Sequence, residues 1–217
     1  VVGCLMEIGI LPFINLLCAL LLSPMLIGVI GRTKAFFGGK KGPPLLQPYF
    51  DLSKLLGKIP VYSNVTSALF RIGPLVGLVV IVLALLMVPL SGTVGALVSF
   101  GGDFWLVIYL LGVSRFFVLL AALDTGSSFE GMGASREAFF SVLVEPVLLL
   151  SFVVFALQTG TQSVSGMAEG LNVTGWAVDS AVSGLVSISL FIVILAENSR
   201  IPVDDPATHL ELTMIHE

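Results

Sequence analysis

Charged side chains are scarce in this 217-residue chain, at 11% of the sequence against 56% hydrophobic. A soluble globular domain carries about 25% charged residues. With a mean hydropathy of +1.06, the chain cannot hide its apolar surface from water by folding alone, which excludes a soluble enzyme or binding module. Cysteine and histidine are equally scarce, with two of each: Cys4, Cys18, His209 and His216. No cluster of these residues has the spacing of a zinc, iron–sulfur or haem site, so an electron-carrying role would lack its ligands. Cys4 and Cys18 lie too far apart along one regular helix to pair. The spacing of a nucleotide-binding P-loop is missing, and no internal repeat of the kind common in secondary transporters is visible. There is no cleavable leader pattern, so the first apolar segment is expected to be retained. The chain stops in a polar loop, and a C-terminal portion is expected to be missing.

What is present is a set of long apolar runs. A spanning helix needs roughly 20 apolar residues, and five stretches qualify: 8–30, 74–90 with its flanks, 104–123, 138–157 and 176–196. The expectation is an all-α integral membrane protein with about five transmembrane helices in a single membrane domain, 1–217. Pro12 and Pro24 sit inside the first run, where a bend is expected rather than a break.

The loops set the orientation. Residues 31–73 hold seven of the ten Lys and Arg residues; Arg136 falls in the 124–137 loop and Arg200 in the last. The 91–103 and 158–175 loops have none. Five spans put every basic loop on one side, which the positive-inside rule makes cytoplasmic, with the N-terminus outside. The two glycosylation sequons, at Asn64 and Asn172, read as chance matches.

Two loops stand out. In the first, Gly38-Gly39-Lys40-Lys41-Gly42-Pro43-Pro44 reads as a tight basic turn, and 45–58 as a short amphipathic helix. That helix suits either the membrane interface or docking of a soluble partner, with Arg32, Lys40, Lys41, Gln47, Asp51 and Lys54 as contact residues. The second is the acidic stretch 197–217, which holds five of the fourteen carboxylates: Glu197, Asp204, Asp205, Glu211 and Glu217. A solvated loop explains Asp204 and Asp205 but not Glu197, at the end of an apolar run.

Two ionisable residues lie inside apolar runs. Arg115 is mid-span and needs a partner or a wet cavity. Glu145 precedes Pro146, whose missing N–H frees a carbonyl one turn earlier and leaves room for water. A structural Arg115–Glu145 ion pair accounts for both. The other reading puts Glu145 in a hydrated proton path with Glu197, Asp204, Asp205, Glu211, Glu217, Arg115, Arg136 and Arg200.

Three stretches carry a resemblance. They are Gly31-Arg32 with Lys40-Lys41-Gly42-Pro43-Pro44-Leu45-Leu46-Gln47-Pro48-Tyr49-Phe50-Asp51-Leu52-Ser53-Lys54-Leu55; Gly133-Ala134-Ser135-Arg136-Glu137 with Glu145; and Glu197-Asn198-Ser199-Arg200-Ile201-Pro202-Val203-Asp204. In this order they resemble the three cytoplasmic loops of the complex I subunit 1 family, whose members have about eight spans. Gly42-Pro43-Pro44 runs straight into Leu45-Leu46-Gln47-Pro48, without the longer insertion of respiratory complex I. Together with Leu123-Asp124-Thr125-Gly126-Ser127, this resembles the membrane-bound, energy-converting [NiFe]-hydrogenase branch that includes formate hydrogenlyase. Ala207 and His209 depart from the acids expected in the third loop.

The resemblance implies a non-catalytic membrane subunit in the inner membrane, one that anchors an oxidoreductase complex and couples it to proton or sodium translocation. Its partners would be hydrogenase-like large and small subunits, iron–sulfur subunits and antiporter-like membrane subunits. Nickel–iron and iron–sulfur centres would sit in those partners. This chain would bind no cofactor or metal of its own and contact lipid but no nucleic acid. The alternatives are a quinone-site subunit of a respiratory NADH dehydrogenase, a free-standing transporter and a purely structural anchor.

Overall fold

A computed structural model describes residues 10–59, 65–90, 95–171 and 180–198. These residues form seven helices and no strand: α1 (Ile10–Phe37), α2 (Gln47–Leu56), α3 (Ala68–Met87), α4 (Asp103–Asp124), α5 (Ser128–Thr159), α6 (Val164–Gly170) and α7 (Ser180–Glu197). Among them four are long and apolar enough to cross a membrane, and Ala181–Glu197 is a shorter apolar helix. The chain is thus an all-helical membrane protein, organised as two compact units, Val1–Tyr62 and Ser63–Glu217.

In the first unit, α1 has 28 residues and runs through Pro24. It continues seven residues past the expected end at Ile30, because 31–37 contains no breaker after Gly31. It stops at Gly38-Gly39, where Gly39 takes φ +66° and the Lys40 amide donates to the Ala35 carbonyl at 2.9 Å. At 1.5 Å per residue α1 is about 42 Å long, more than the ~30 Å hydrocarbon core. Arg32 and Lys34 therefore belong to a helical extension rather than to a loop. The amphipathic helix expected over 45–58 is observed as α2. Before it, the Leu45 carbonyl oxygen lies 2.3 Å from where a Cβ on Gly28 would be, so the contact needs glycine there. The Tyr49 hydroxyl donates to the Leu21 carbonyl, three residues before Pro24 in the first span.

In the second unit, α3 and α4 form a closely packed hairpin. The buried residues of α3 are Gly73, Gly77, Val80, Ala84 and Met87, a single stripe at helical spacing. A Cβ on Gly73 would meet Ala121 Cβ at 3.2 Å and the Phe117 carbonyl at 3.3 Å, and one on Gly77 would meet Ser114 Oγ at 3.4 Å. Small residues four apart let two backbones approach, the usual way membrane helices gain contact where no hydrophobic drive exists between them. The end of the hairpin where α3 starts and α4 stops is tied by the Ser67 amide donating to Asp124 Oδ2 at 2.6 Å.

Helix α5 packs against α4, α6 and α7. It has 32 residues and starts ten positions before the expected span. The stretch 128–137, read as part of a loop between two apolar runs, is helical: Gly133 and Ala134 are buried there, so small residues serve packing rather than a turn. Helix α6 lies in a segment read as a plain loop. Residues 172–179 and 199–217 lie outside the described residues.

Candidate functional site

Arg115 projects from the middle of α4 with its side chain only 11% exposed. Two carboxylates meet it. Its Nη2 donates to Glu197 Oε1, and its Nη1 lies 3.5 Å from Glu145 Oε1, within ion-pair range but without a hydrogen bond. One guanidinium is therefore shared, hydrogen-bonded on the α7 side and ion-paired without a hydrogen bond on the α5 side.

The sequence places each of these groups. Glu145 stands on the α5 face that meets Gly112 and Arg115 of α4. Gly112 has no side chain, and a Cβ there would come within 3.3 Å of Glu145 Oε1. Glu197 is the last residue of α7. The unpaired carbonyls of a helix C-terminus repel a carboxylate, and the Arg115 guanidinium offsets that repulsion. Next to it, Asn198 Nδ2 donates to the Ile194 carbonyl at 2.8 Å.

These groups line a cavity of about 360 Å³, whose walls also include Gly112, Ser114, Glu137, Val144 and Leu148. Glu137 is buried. It sits eight residues before Glu145 on α5, about 12 Å along the axis. The wall thus carries three carboxylates and one guanidinium. A second cavity, of about 400 Å³, lies against the same Arg115–Glu145 pair and is lined by Tyr109, Phe116 and Ser141 among others. A chamber with this lining has room for water and a fixed cation whose partner can change. Among the described residues no three His, Cys, Asp or Glu side chains are grouped to hold a metal ion.

Residues 10–215 match the family described as NADH dehydrogenase (NADHdh). The chain belongs to that family. Among curated NADHdh-type relatives it is 32% identical to formate hydrogenlyase subunit 4 of Escherichia coli K12, over 93% of this chain and 65% of the relative. It is 34% identical to hydrogenase-4 component C of the same organism, over 89% of this chain and 60% of the relative. The chain therefore spans less than two thirds of the length of either. A chain of the membrane-bound sulfane sulfur reductase, an archaeal respiratory membrane complex, has the same fold, with TM-score 0.75 at 22% identity over 94% of this chain and 71% of that one.

Of the residues singled out in the sequence of this NADHdh member, Arg115, Glu145 and Glu197 are brought together. Arg136 lies on α5, nine residues before Glu145. Arg200, Asp204, Asp205, Glu211 and Glu217 lie outside the described residues. Of the docking candidates, Arg32, Lys40, Lys41, Asp51 and Lys54 are exposed, while Gln47 is half-buried and donates to Asp51 Oδ1 at 3.0 Å. Two acids escaped the sequence reading as site members. Glu137 passed as part of a loop motif. Asp103 opens α4, fully buried. A period-of-four check along α5 would have found Glu137, since 137, 141 and 145 share one face.

Proposed function

We propose that this chain is the membrane anchor and coupling subunit of an energy-converting hydrogenase-type complex, linking redox chemistry in soluble partners to proton or sodium translocation. The observation that carries the reading is the Arg115 guanidinium held between Glu145 and Glu197 in a cavity also lined by Glu137. The names of the two similar Escherichia coli proteins point to the same class of assembly.

The physics of the site supplies a mechanism. A cation between two carboxylates lowers the proton affinity of whichever one it approaches. Protonating Glu197 weakens its hold on Arg115 and frees the guanidinium to move toward Glu145. In surroundings of low dielectric, a movement of a few ångströms changes the neighbour's proton affinity strongly. The three carboxylates then titrate as one coupled system. Charge rearranged at the loop end of α7 is handed to α5 and along it to Glu137 and Arg136. In this reading Arg200, Asp204, Asp205, Glu211 and Glu217 extend the path toward the cytoplasmic partners.

Arg32, Lys40, Lys41, Gln47, Asp51 and Lys54 form the docking surface for a hydrogenase-like large and small subunit with iron–sulfur subunits. These partners carry the nickel–iron and iron–sulfur centres, and antiporter-like subunits stand beside the chain in the bilayer. In this reading the chain lies in the inner membrane with its N-terminus outside; the charge distribution of the loops supports that orientation.

The test is Glu145→Gln in the assembled complex reconstituted into vesicles with a pH dye and a sodium probe. The expected result is intact assembly with fewer ions moved per electron. Pumping at the parent ratio leaves Glu145 as no more than a structural partner of Arg115 and sinks the reading. One other reading is a subunit at the quinone site of a respiratory NADH dehydrogenase; the family's description, NADH dehydrogenase, supports that class of complex. Purification in mild detergent separates the two: a nickel–iron subunit comes along in the first case, flavin and quinone in the second.

A further inference from the structure

A cavity that holds a shared cation couples charge across a membrane only if water reaches it from one side at a time. The other side must then be closed. Asp103 and Arg115 are twelve residues apart on α4, about 18 Å. An apolar cluster of Met87, Phe104, Val107, Ile108, Val164 and Met167 fills the bundle at the Asp103 end. Two residues join the regions: Ile108 and Leu148 line the charged cavity and also belong to, or pack against, that cluster.

Val164 and Met167 come from α6, a helix of seven residues, too short to span. It lies as a cap with these two side chains turned into the bundle. The cap is clamped by α4 and the segment before it. The Val164 amide donates to Asp103 Oδ1 at 2.7 Å, the Gly102 amide to the Gln162 carbonyl at 2.9 Å and the Ala96 amide to Ser165 Oγ at 2.9 Å. The Phe100 amide donates to Asp103 Oδ2 at 3.4 Å. Within this unit the described arginines Arg71 and Arg136 lie toward the opposite end, near the starts of α3 and α5.

We infer that α6, clamped by Asp103, is a water seal that shuts the charged cavity off from the membrane face opposite Arg71 and Arg136. Asp103 is then neither a proton carrier nor a ligand. It fixes a helical cap through backbone amides, and among the described residues that cap is backed by the apolar side chains of Ile108 and Met167. This goes beyond the coupling role, and its test does not depend on turnover.

The test uses the full chain in sealed vesicles with Cys4 and Cys18 replaced by serine and one thiol introduced by Leu111→Cys on the cavity wall. A charged, membrane-impermeant methanethiosulfonate is added from either side. The expected result is modification from the arginine-bearing side and protection from the α6 side. Asp103→Ala raises α6-side modification by roughly tenfold or more, the ratio set by losing hydrogen bonds to a buried charge. The pair Ile108→Ser with Met167→Ser does the same with the clamp in place, and carries the test where Asp103→Ala does not assemble. Equal modification from both sides in the parent overturns the seal, as does unchanged α6-side protection in the assembled variants. A sealed parent whose Glu145→Gln form pumps normally sinks the coupling reading and leaves the seal standing.

Discussion

Asp103 and Arg115 are both ionisable side chains withdrawn from water on the same helix, and the protein treats them in opposite ways. Asp103 is fully buried and accepts hydrogen bonds from backbone amides, at Val164 and Phe100. Those donors are fixed by the fold. Arg115 meets side chains instead, Glu197 closely and Glu145 loosely, and these can rotate, gain a proton or let go. A charge tied to backbone holds a shape. A charge shared between titratable side chains stores alternatives. Burial alone does not distinguish the two roles; the chemistry of the partners does.

The sharpest way to break this contrast is to remove the shared cation. Arg115→Leu leaves carboxylates facing one another with no counter-charge; truncating one partner of a fully buried ion pair costs about 3–5 kcal/mol, an upper bound here because Glu197 and Glu145 are 29% and 50% exposed. Thermal unfolding of the purified protein should show the largest loss of any variant here. Adding Glu145→Gln and Glu197→Gln should restore most of it, because the uncompensated charges go too. If the triple variant stays as unstable as Arg115→Leu, the guanidinium acts through packing.

Asp103→Ala comes next. It orphans two backbone amides and should cost about 1–3 kcal/mol. Asp103→Asn keeps one acceptor oxygen and should fall between it and the parent on the same unfolding scale. An Asn variant as unstable as Ala would mean that the negative charge, rather than the clamp, is what matters.

Glu145→Gln sharpens the comparison from the other side. The Glu145 side chain is 50% exposed and its ion pair spans 3.5 Å, so the stability change should stay within about 1 kcal/mol. Ion translocation should nevertheless fall, whereas Asp103→Asn should spare the ion-to-electron ratio in whatever fraction assembles. The smallest effect belongs to Gly112→Ala. Its new methyl carbon would lie 3.3 Å from Glu145 Oε1, so the carboxylate shifts by a few tenths of an ångström. Stability should change by no more than about 1 kcal/mol, and translocation should respond more than stability does.

The spans were legible in the sequence because a long apolar run admits few other structures in a bilayer. The ends of the helices were less so. Residues 31–37 and 128–137 read as loop because they fall outside the long apolar runs. Past the hydrocarbon boundary a helix can continue in water, and Gly133 is small because it is packed. Arg115 and Glu145 drew notice by sitting inside apolar runs, and their proximity followed. That Glu197 is the closer partner did not, since 82 residues separate it from Arg115 and no local pattern reports such a contact. Asp103 was passed over because an acid at the start of a span looks like an ordinary interfacial residue. Its burial comes from α6, a helix too short to leave a periodic trace.

The close backbone contact of α3 with α4 bears on how the protein is made. Synthesis runs from N- to C-terminus, so α4 emerges with Arg115 before either Glu145 or Glu197 exists. A lone helix with a central arginine enters a bilayer at a cost of about 2.5–3.5 kcal/mol on insertion scales. α3 is already present, strongly apolar and with no acid or base after Arg71, and its Gly73–Gly77 face is shaped to receive α4 at once. The hairpin can therefore enter as one body and hold the arginine in the membrane until its counter-ions arrive. Bulky residues at Gly73 and Gly77 would then show their damage during biogenesis, as failed insertion of α4, rather than in the finished protein.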